Sequence, residues 1–125
     1  MSNLLYIGIA GFVGALARYG MSGLPHKWLD GSFPWGTLLV NVLGCLMIGA
    51  LMFLVEDRRM FTPQARLFIF TGFLGSFTTF STFGYETFRL LNDSQFSLAL
   101  ANAGANMVIG LGAVWLGWTA VRLVT

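Results

Sequence analysis

At 125 residues, with 56% hydrophobic and 10% charged side chains and a mean hydropathy of +0.74, the chain lies outside the soluble range and reads as an integral membrane protein. One bilayer crossing takes about 20 mostly apolar residues, so this length holds about four helices and no soluble domain. The net charge of +2 comes from scattered residues, which argues against a nucleic-acid partner and against a polybasic lipid anchor.

The expectation is an all-α membrane protein with a single four-helix transmembrane domain over residues 1–125, its spans near 4–21, 35–55, 64–90 and 96–124. The start, Met1-Ser2-Asn3, is not basic and no small-residue cleavage pattern follows, so the first helix is expected to stay in the membrane. That span carries Gly8, Gly11, Gly14 and Gly20 with Ala10, Ala15 and Ala17, a density of small residues that lets helices approach closely in lipid. Arg18 near its end has two readings: a side chain reaching the headgroups, or an inward charge shaping an aqueous vestibule.

An interfacial loop follows, with Pro25, His26, Lys27, Trp28, Asp30 and Gly31. One histidine makes no metal site, and the lone Cys45 excludes an internal disulfide and reads as a small packing residue. The second span has one strongly polar interior residue, Asn41, and closes on Glu56-Asp57-Arg58-Arg59, a solvated turn. Asn41 alone could simply hydrogen-bond a neighbouring helix. The fourth span places Asn102 and Asn106 at i, i+4 on one face, continued by Gly110 and Ala113, as suits a helix interface. Trp115 and Trp118 mark its terminal boundary.

The third span holds the unusual stretch, Gly72-Phe73-Leu74-Gly75-Ser76-Phe77-Thr78-Thr79-Phe80-Ser81-Thr82-Phe83-Gly84. Five hydroxyl residues lie between Ser76 and Thr82, with glycines on both sides, a poor uninterrupted helix and an expensive lipid-facing one. Such backbone must be buried against protein or line a watery cavity. The span is therefore expected to break into two half-helices presenting free amides and free carbonyls, with a pore or transport pathway as the leading function. On spacing alone, Phe77, Phe80 and Phe83 read as ordinary packing residues. Glu86, one turn beyond Phe83, is a snorkelling end residue, a lining of the exit, or an arginine's partner.

Arg58, Arg59, Arg66 and Arg122 fall on one side, and Arg18, Lys27 and Arg89 on the other. Four against three is almost no bias, so the positive-inside rule predicts insertion both ways round. Four short helices do not easily enclose a polar path, and closed dimers are the commonest oligomers. The economical expectation is a homodimer of two oppositely oriented copies whose third-span breaks meet on the two-fold axis.

Three sets of residues then matter together: Gly11-Phe12-Val13-Gly14-Ala15 to Arg18-Tyr19, Gly36-Thr37-Leu38 with Val40-Asn41 and Gly44, and Gly72-Phe73-Leu74-Gly75 with Thr78-Thr79-Phe80-Ser81-Thr82-Phe83. Across essentially the whole chain they resemble the bacterial Fluc/CrcB fluoride channels. The resemblance implies a multi-pass protein of the inner (cytoplasmic) membrane, a dual-topology homodimer exporting fluoride passively through two pores. It implies that Asn41 lines the pore as a donor, that the ring edges of Phe80 and Phe83 face the anion, and that carbonyls of Gly75 and Thr78 from both copies hold a structural sodium ion, Na+.

Fluoride is small, hard and strongly hydrated, so a path must replace its water with donors without trapping it. Asn41 offers amide protons, and Ser81, Thr82 and Thr79 offer hydroxyl protons. Asn102 and Asn106 are candidate linings from the fourth helix. A small multidrug exporter is the nearest rival, yet it needs a membrane-embedded carboxylate, and the first span has none while Glu86 sits near a helix end. A non-transporting assembly subunit leaves the hydroxyl stretch unexplained. An enzyme is not expected, because no nucleophile–base pair or metal cluster is visible.

Overall fold

In lipid every backbone N–H and C=O must be satisfied within the protein, and the computed structural model, which describes residues 2–125, is helical throughout apart from its connections. Helix α1 covers Ser2–Gly23 and α2 covers Trp35–Glu56, joined through a short 3₁₀ turn at Pro25–Lys27. The third span, Pro63–Asn92, comes in two parts, α3 over residues 63–77 and α4 over Ser81–Asn92. Helix α5 runs Phe96–Val124. Four stretches, Ser2–Lys27, Trp35–Glu56, Pro63–Asn92 and Phe96–Val124, are long and apolar enough to cross a membrane.

Local chemistry sets the ends. Thr62 caps α3 by accepting the Ala65 N–H at 3.1 Å, and Pro63 takes the first helical position, where no N–H is needed. At the end of α4, Ser94 N–H donates to Leu91 O at 3.1 Å and Gln95 N–H to Leu90 O at 2.8 Å. This paired closure places Ser94 in the left-handed region, φ 62°, where glycine is usual. Within α3, Leu67–Leu74 is wound as a π-helix, the wider winding whose characteristic hydrogen bond spans five residues, though the Leu67 N–H still donates to Pro63 O and Gln64 O.

Two seams organise the packing. Helices α2 and α5 form the more extensive one. The pairs Asn41–Asn106, Cys45–Gly110 and Gly49–Val114 keep one offset along both helices, which only parallel neighbours do. A Cβ on Gly49 would strike the Val114 carbonyl and one on Gly117 the Leu46 carbonyl, so at these levels the backbones touch directly, as small residues allow in membranes. The buried face of α5 is Ala99, Asn102, Gly110, Ala113 and Gly117, the polar-and-small stripe of the sequence. Phe53, 2% exposed, closes this seam against Trp118 with ring centroids 5.2 Å apart, and Arg58 covers its ring at 5.6 Å.

The second seam joins α1 to α3, with Gly14 against the Phe73 carbonyl and the Ser76 hydroxyl. Between the seams the core is small, chiefly Ala10, Val40, Leu74, Phe77, Leu90 and Ala99. Leu4, Phe12, Leu16, Leu100, Val108 and Leu111 face outward. So much outward apolar surface suits lipid or another protein rather than water.

Candidate functional site

Helical hydrogen bonding lapses inside the hydroxyl run. Thr78 N–H still donates to Leu74 O at 3.1 Å, but Thr78 is extended, with φ −89° and ψ 162°, and residues 78–80 are not helical. Thr79 N–H, whose helical acceptor would be Gly75 O, is redirected. It donates to Asn41 Oδ1 at 3.0 Å, and Asn41 Nδ2 donates back to Thr79 O at 3.1 Å. A single side-chain amide on α2 thus replaces both backbone partners that Thr79 loses, so neither its N–H nor its C=O is left unpaired where the helix lapses.

The polar contacts continue away from the lapse. The second Asn41 Nδ2 proton goes to Asn106 Oδ1 at 3.1 Å. Asn106 Nδ2 donates to Asn102 O at 2.9 Å and Asn102 Oδ1 at 3.0 Å. Asn102 Nδ2 reaches Thr87 Oγ1 at 2.9 Å, and the Thr87 hydroxyl donates to Phe83 O at 2.8 Å. Both amide protons of Asn41 and both of Asn106 are engaged, so neither residue holds an idle donor.

The hydroxyls divide by position. Ser76 bonds back to Gly72 O at 2.8 Å and Phe73 O at 3.1 Å, and Thr78 to Leu74 O at 2.9 Å. Thr79 Oγ1 accepts the Thr82 N–H at 3.3 Å, in the first turn of α4. Ser81 and Thr82 are exposed. Gly44 of α2 seats the Thr78 methyl, since a Cβ there would collide with Thr78 Cγ2.

These residues border a cleft of about 470 Å³ whose walls include Asn41, Cys45, Thr79, Phe80, Phe83 and Asn106. Phe80 and Phe83 lie 5.7 Å apart, tilted at 53°, and Phe80 is 82% exposed. Phe77, the earlier member of the every-third-residue series, is instead buried and stacked on Phe73 at 5.6 Å. Gly75 and Thr78 also border the cleft. The N–H groups four residues on from them, Thr79 and Thr82, donate to Asn41 Oδ1 and Thr79 Oγ1, which leaves the Gly75 and Thr78 carbonyls without their helical partners. Among the described residues no group of three His, Cys, Asp or Glu could hold a metal.

Of the sequence-expected site residues, the structure brings Asn41, Gly75, Thr78, Thr79, Phe80, Phe83 and Asn106 to one cleft. Ser81 and Thr82 begin α4 beside it, and Asn102 lies behind it, fully buried. Arg18 and Glu86 are not among its walls, and Glu86 Oε1 is buried without a hydrogen-bond partner. Sequence reasoning named Gly44 only within a motif, without its contact to Thr78, and missed Thr87 as part of this arrangement. Thr87 does stand four residues after Phe83, the spacing of a hydroxyl that back-bonds to its own helix.

Fold and site together define a small, multi-pass, all-helical membrane protein whose polar groups converge on an interrupted third span. The family described as CrcB-like protein, Camphor Resistance (CrcB), matches residues 5–118, and the chain belongs to that family. It is 44% identical over 124 residues, covering 99% of this chain and 100% of the relative, to a fluoride-specific ion channel FluC of Nitratidesulfovibrio vulgaris. It is 42% identical to the protein of that name in Nitrosococcus oceani and 43% identical to that in Geobacter sulfurreducens, each match covering 98% of both chains.

Proposed function

We propose that this protein is a fluoride-specific ion channel that lets fluoride leave the cytoplasm passively across the cytoplasmic membrane. The observation that carries this reading is full-length membership of a family whose relatives bear that name, in a chain where an asparagine and two phenylalanines border an interrupted third span. It is a transporter rather than an enzyme. Fluoride enters from acid surroundings as neutral HF, ionises inside and is trapped. An inside-negative potential, about 2.3 kcal/mol per charge per 100 mV, then drives the anion out through any selective path.

In this reading the interruption lies at mid-membrane and fluoride moves past Phe80 and Phe83. A phenyl ring has a positive edge, so it attracts an anion weakly while its bulk narrows the way. Asn41 and Asn106 border that passage, and Thr79, Ser81 and Thr82 supply hydroxyls at and beyond the lapse. Arg18 and Glu86 act outside the cleft, at a vestibule and an exit. No Lys or Arg borders the cleft, so the anion meets weak, neutral sites, as conduction requires.

The working unit in this proposal is an antiparallel homodimer with two pores, supported by the even distribution of Lys and Arg and by the outward apolar faces. Intact cells treated with an impermeant amine reagent would have Lys27, the sole lysine, modified in about half of the copies; modification of all or none would refute dual topology. The Gly75 and Thr78 carbonyls of both copies would hold Na+, whose charge supplies a fixed field at the dimer centre. Their missing helical donors fit that role. A crystal of the dimer with no density between the paired interruptions would remove it.

The channel reading is tested by loading liposomes with equal fluoride and chloride, adding a potassium ionophore and following both anions with selective electrodes. Fluoride release with chloride retained is expected. Retention of both anions would overturn the channel reading.

A further inference from the structure

The amides that border the cleft are oriented at one end by the Thr79 backbone and held at the other by two residues that do not border it, Asn102 and Thr87. Thr79 presents a backbone N–H and a backbone C=O, which cannot exchange roles, so Asn41 must point Oδ1 at the first and Nδ2 at the second. That leaves Asn41 one proton for Asn106, which must answer with Oδ1. Asn106 must then direct Nδ2 to Asn102, where it meets two acceptors, the backbone O and Oδ1. With its Oδ1 committed, the fully buried Asn102 has Nδ2 left to place, and the acceptor it finds is the hydroxyl of Thr87. Thr87 in turn donates to Phe83 O. The donors therefore run in one direction, from the Thr79 N–H to the carbonyl of a phenylalanine that borders the cleft.

An anion entering the cleft finds no idle amide proton. To be held by Asn41 it must displace Thr79 O or Asn106 Oδ1 as acceptor, and to be held by Asn106 it must displace an oxygen of Asn102. Exchange of one acceptor for another gives a small net gain, unlike capture by a free donor. Affinity is thereby kept low enough for the ion to leave, which a conducting site needs.

We propose that Thr87, acting through Asn102, is a positioning residue that keeps the cleft amides occupied and so sets how tightly they hold fluoride. The inference rests on the channel reading. Thr87 and Asn102 do not border the cleft, so they reach its amides through Asn106 and Asn41, while Thr87 also touches the cleft wall through the Phe83 carbonyl. Without the Thr87 hydroxyl, Asn102 keeps a buried, unpaired N–H and turns to satisfy it. Its Oδ1 leaves Asn106, and one Asn106 proton becomes available to the anion. The site then binds more tightly and releases more slowly.

The test is the fluoride-concentration dependence of flux in liposomes for the intact protein, Thr87→Val and Thr87→Ser. Thr87→Val, of nearly equal volume, is expected to lower the half-saturating fluoride concentration about fivefold and to lower the maximal flux, the change expected for one released hydrogen bond. Thr87→Ser keeps the hydroxyl and is expected to match the intact protein. A merely structural role would change the amount of active protein and leave half-saturation where it was. If Thr87→Val does not fold, the Asn102→Leu, Thr87→Val pair removes the stranded N–H as well as its acceptor and is expected to show the same fall. Unchanged half-saturation in whichever variant folds overturns the inference while leaving the channel reading intact. An intact protein that releases no fluoride overturns the channel reading, and the inference with it.

Discussion

Helices α2 and α5 meet at two levels in two chemically different ways. Where Gly49 faces Val114 and Gly117 faces Leu46, backbone rests on backbone and no room is left for a single added carbon. Where Asn41 faces Asn106, the same helices are joined by side-chain amides, and Thr79 from the interrupted third span is joined to them. Between the two, a Cβ on Gly110 would approach Cys45 Sγ at 3.4 Å, an intermediate fit. The glycine level brings the helices close without needing directed bonds. The asparagine level uses directed bonds to hold a third segment out of its helix, and the cleft opens there. A protein this small can thus keep one end of a helix pair in close backbone contact while the other carries polar backbone.

Breaking the glycine level has the largest expected effect. Gly49→Val would drive its side chain into the Val114 carbonyl, which cannot rotate away, at a cost of about 1–3 kcal/mol or more. The expected outcome is a large fall in the detergent unfolding midpoint, with Gly112→Ala, which meets nothing within 4 Å, as the unaffected control. Equal midpoints would show that the close seam is not needed. A smaller change comes at the cleft: Phe83→Ile and Phe80→Ile keep bulk but lose the ring edge, and fluoride release is expected to slow by about three- to tenfold. Phe88→Ile, on the exposed side of α4 and not bordering the cleft, is expected to change release less than about twofold. Equal slowing at all three positions would mean that ring bulk, not its place at the cleft, matters.

The membrane class, the four spans and the unusual third span were legible because composition and hydropathy act locally along the chain. The Asn102–Asn106 face was legible for the same reason, since i, i+4 spacing is a property of one helix. What Asn41 bonds to was not, because its partners stand 38 and 65 residues away and such pairings exist only after packing. The sequence left Asn41 two roles, a hydrogen bond to a neighbouring helix or, by the family resemblance, a donor lining the pore, and the structure gives its two protons to Thr79 O and Asn106 Oδ1. The hydroxyl run from Ser76 to Thr82 suggests a long irregular stretch, yet the non-helical residues are only 78–80. Ser76 and Thr78 satisfy themselves on their own helix, so their polarity does not require its disruption. The π winding of Leu67–Leu74 has no sequence signal that we can identify.

The central claim is that the segment pinned by Asn41 borders the fluoride path. The most direct measurement is fluoride and chloride release from liposomes containing the intact protein or Asn41→Asp, with folding of both checked by gel filtration. A carboxylate at this position donates to neither Thr79 O nor Asn106 Oδ1 and sets a fixed negative charge beside the passing anion. The account predicts fluoride release with chloride retained for the intact protein, and no release of either anion for the folded variant. Fluoride release from Asn41→Asp at the intact rate would place the path elsewhere and contradict the account.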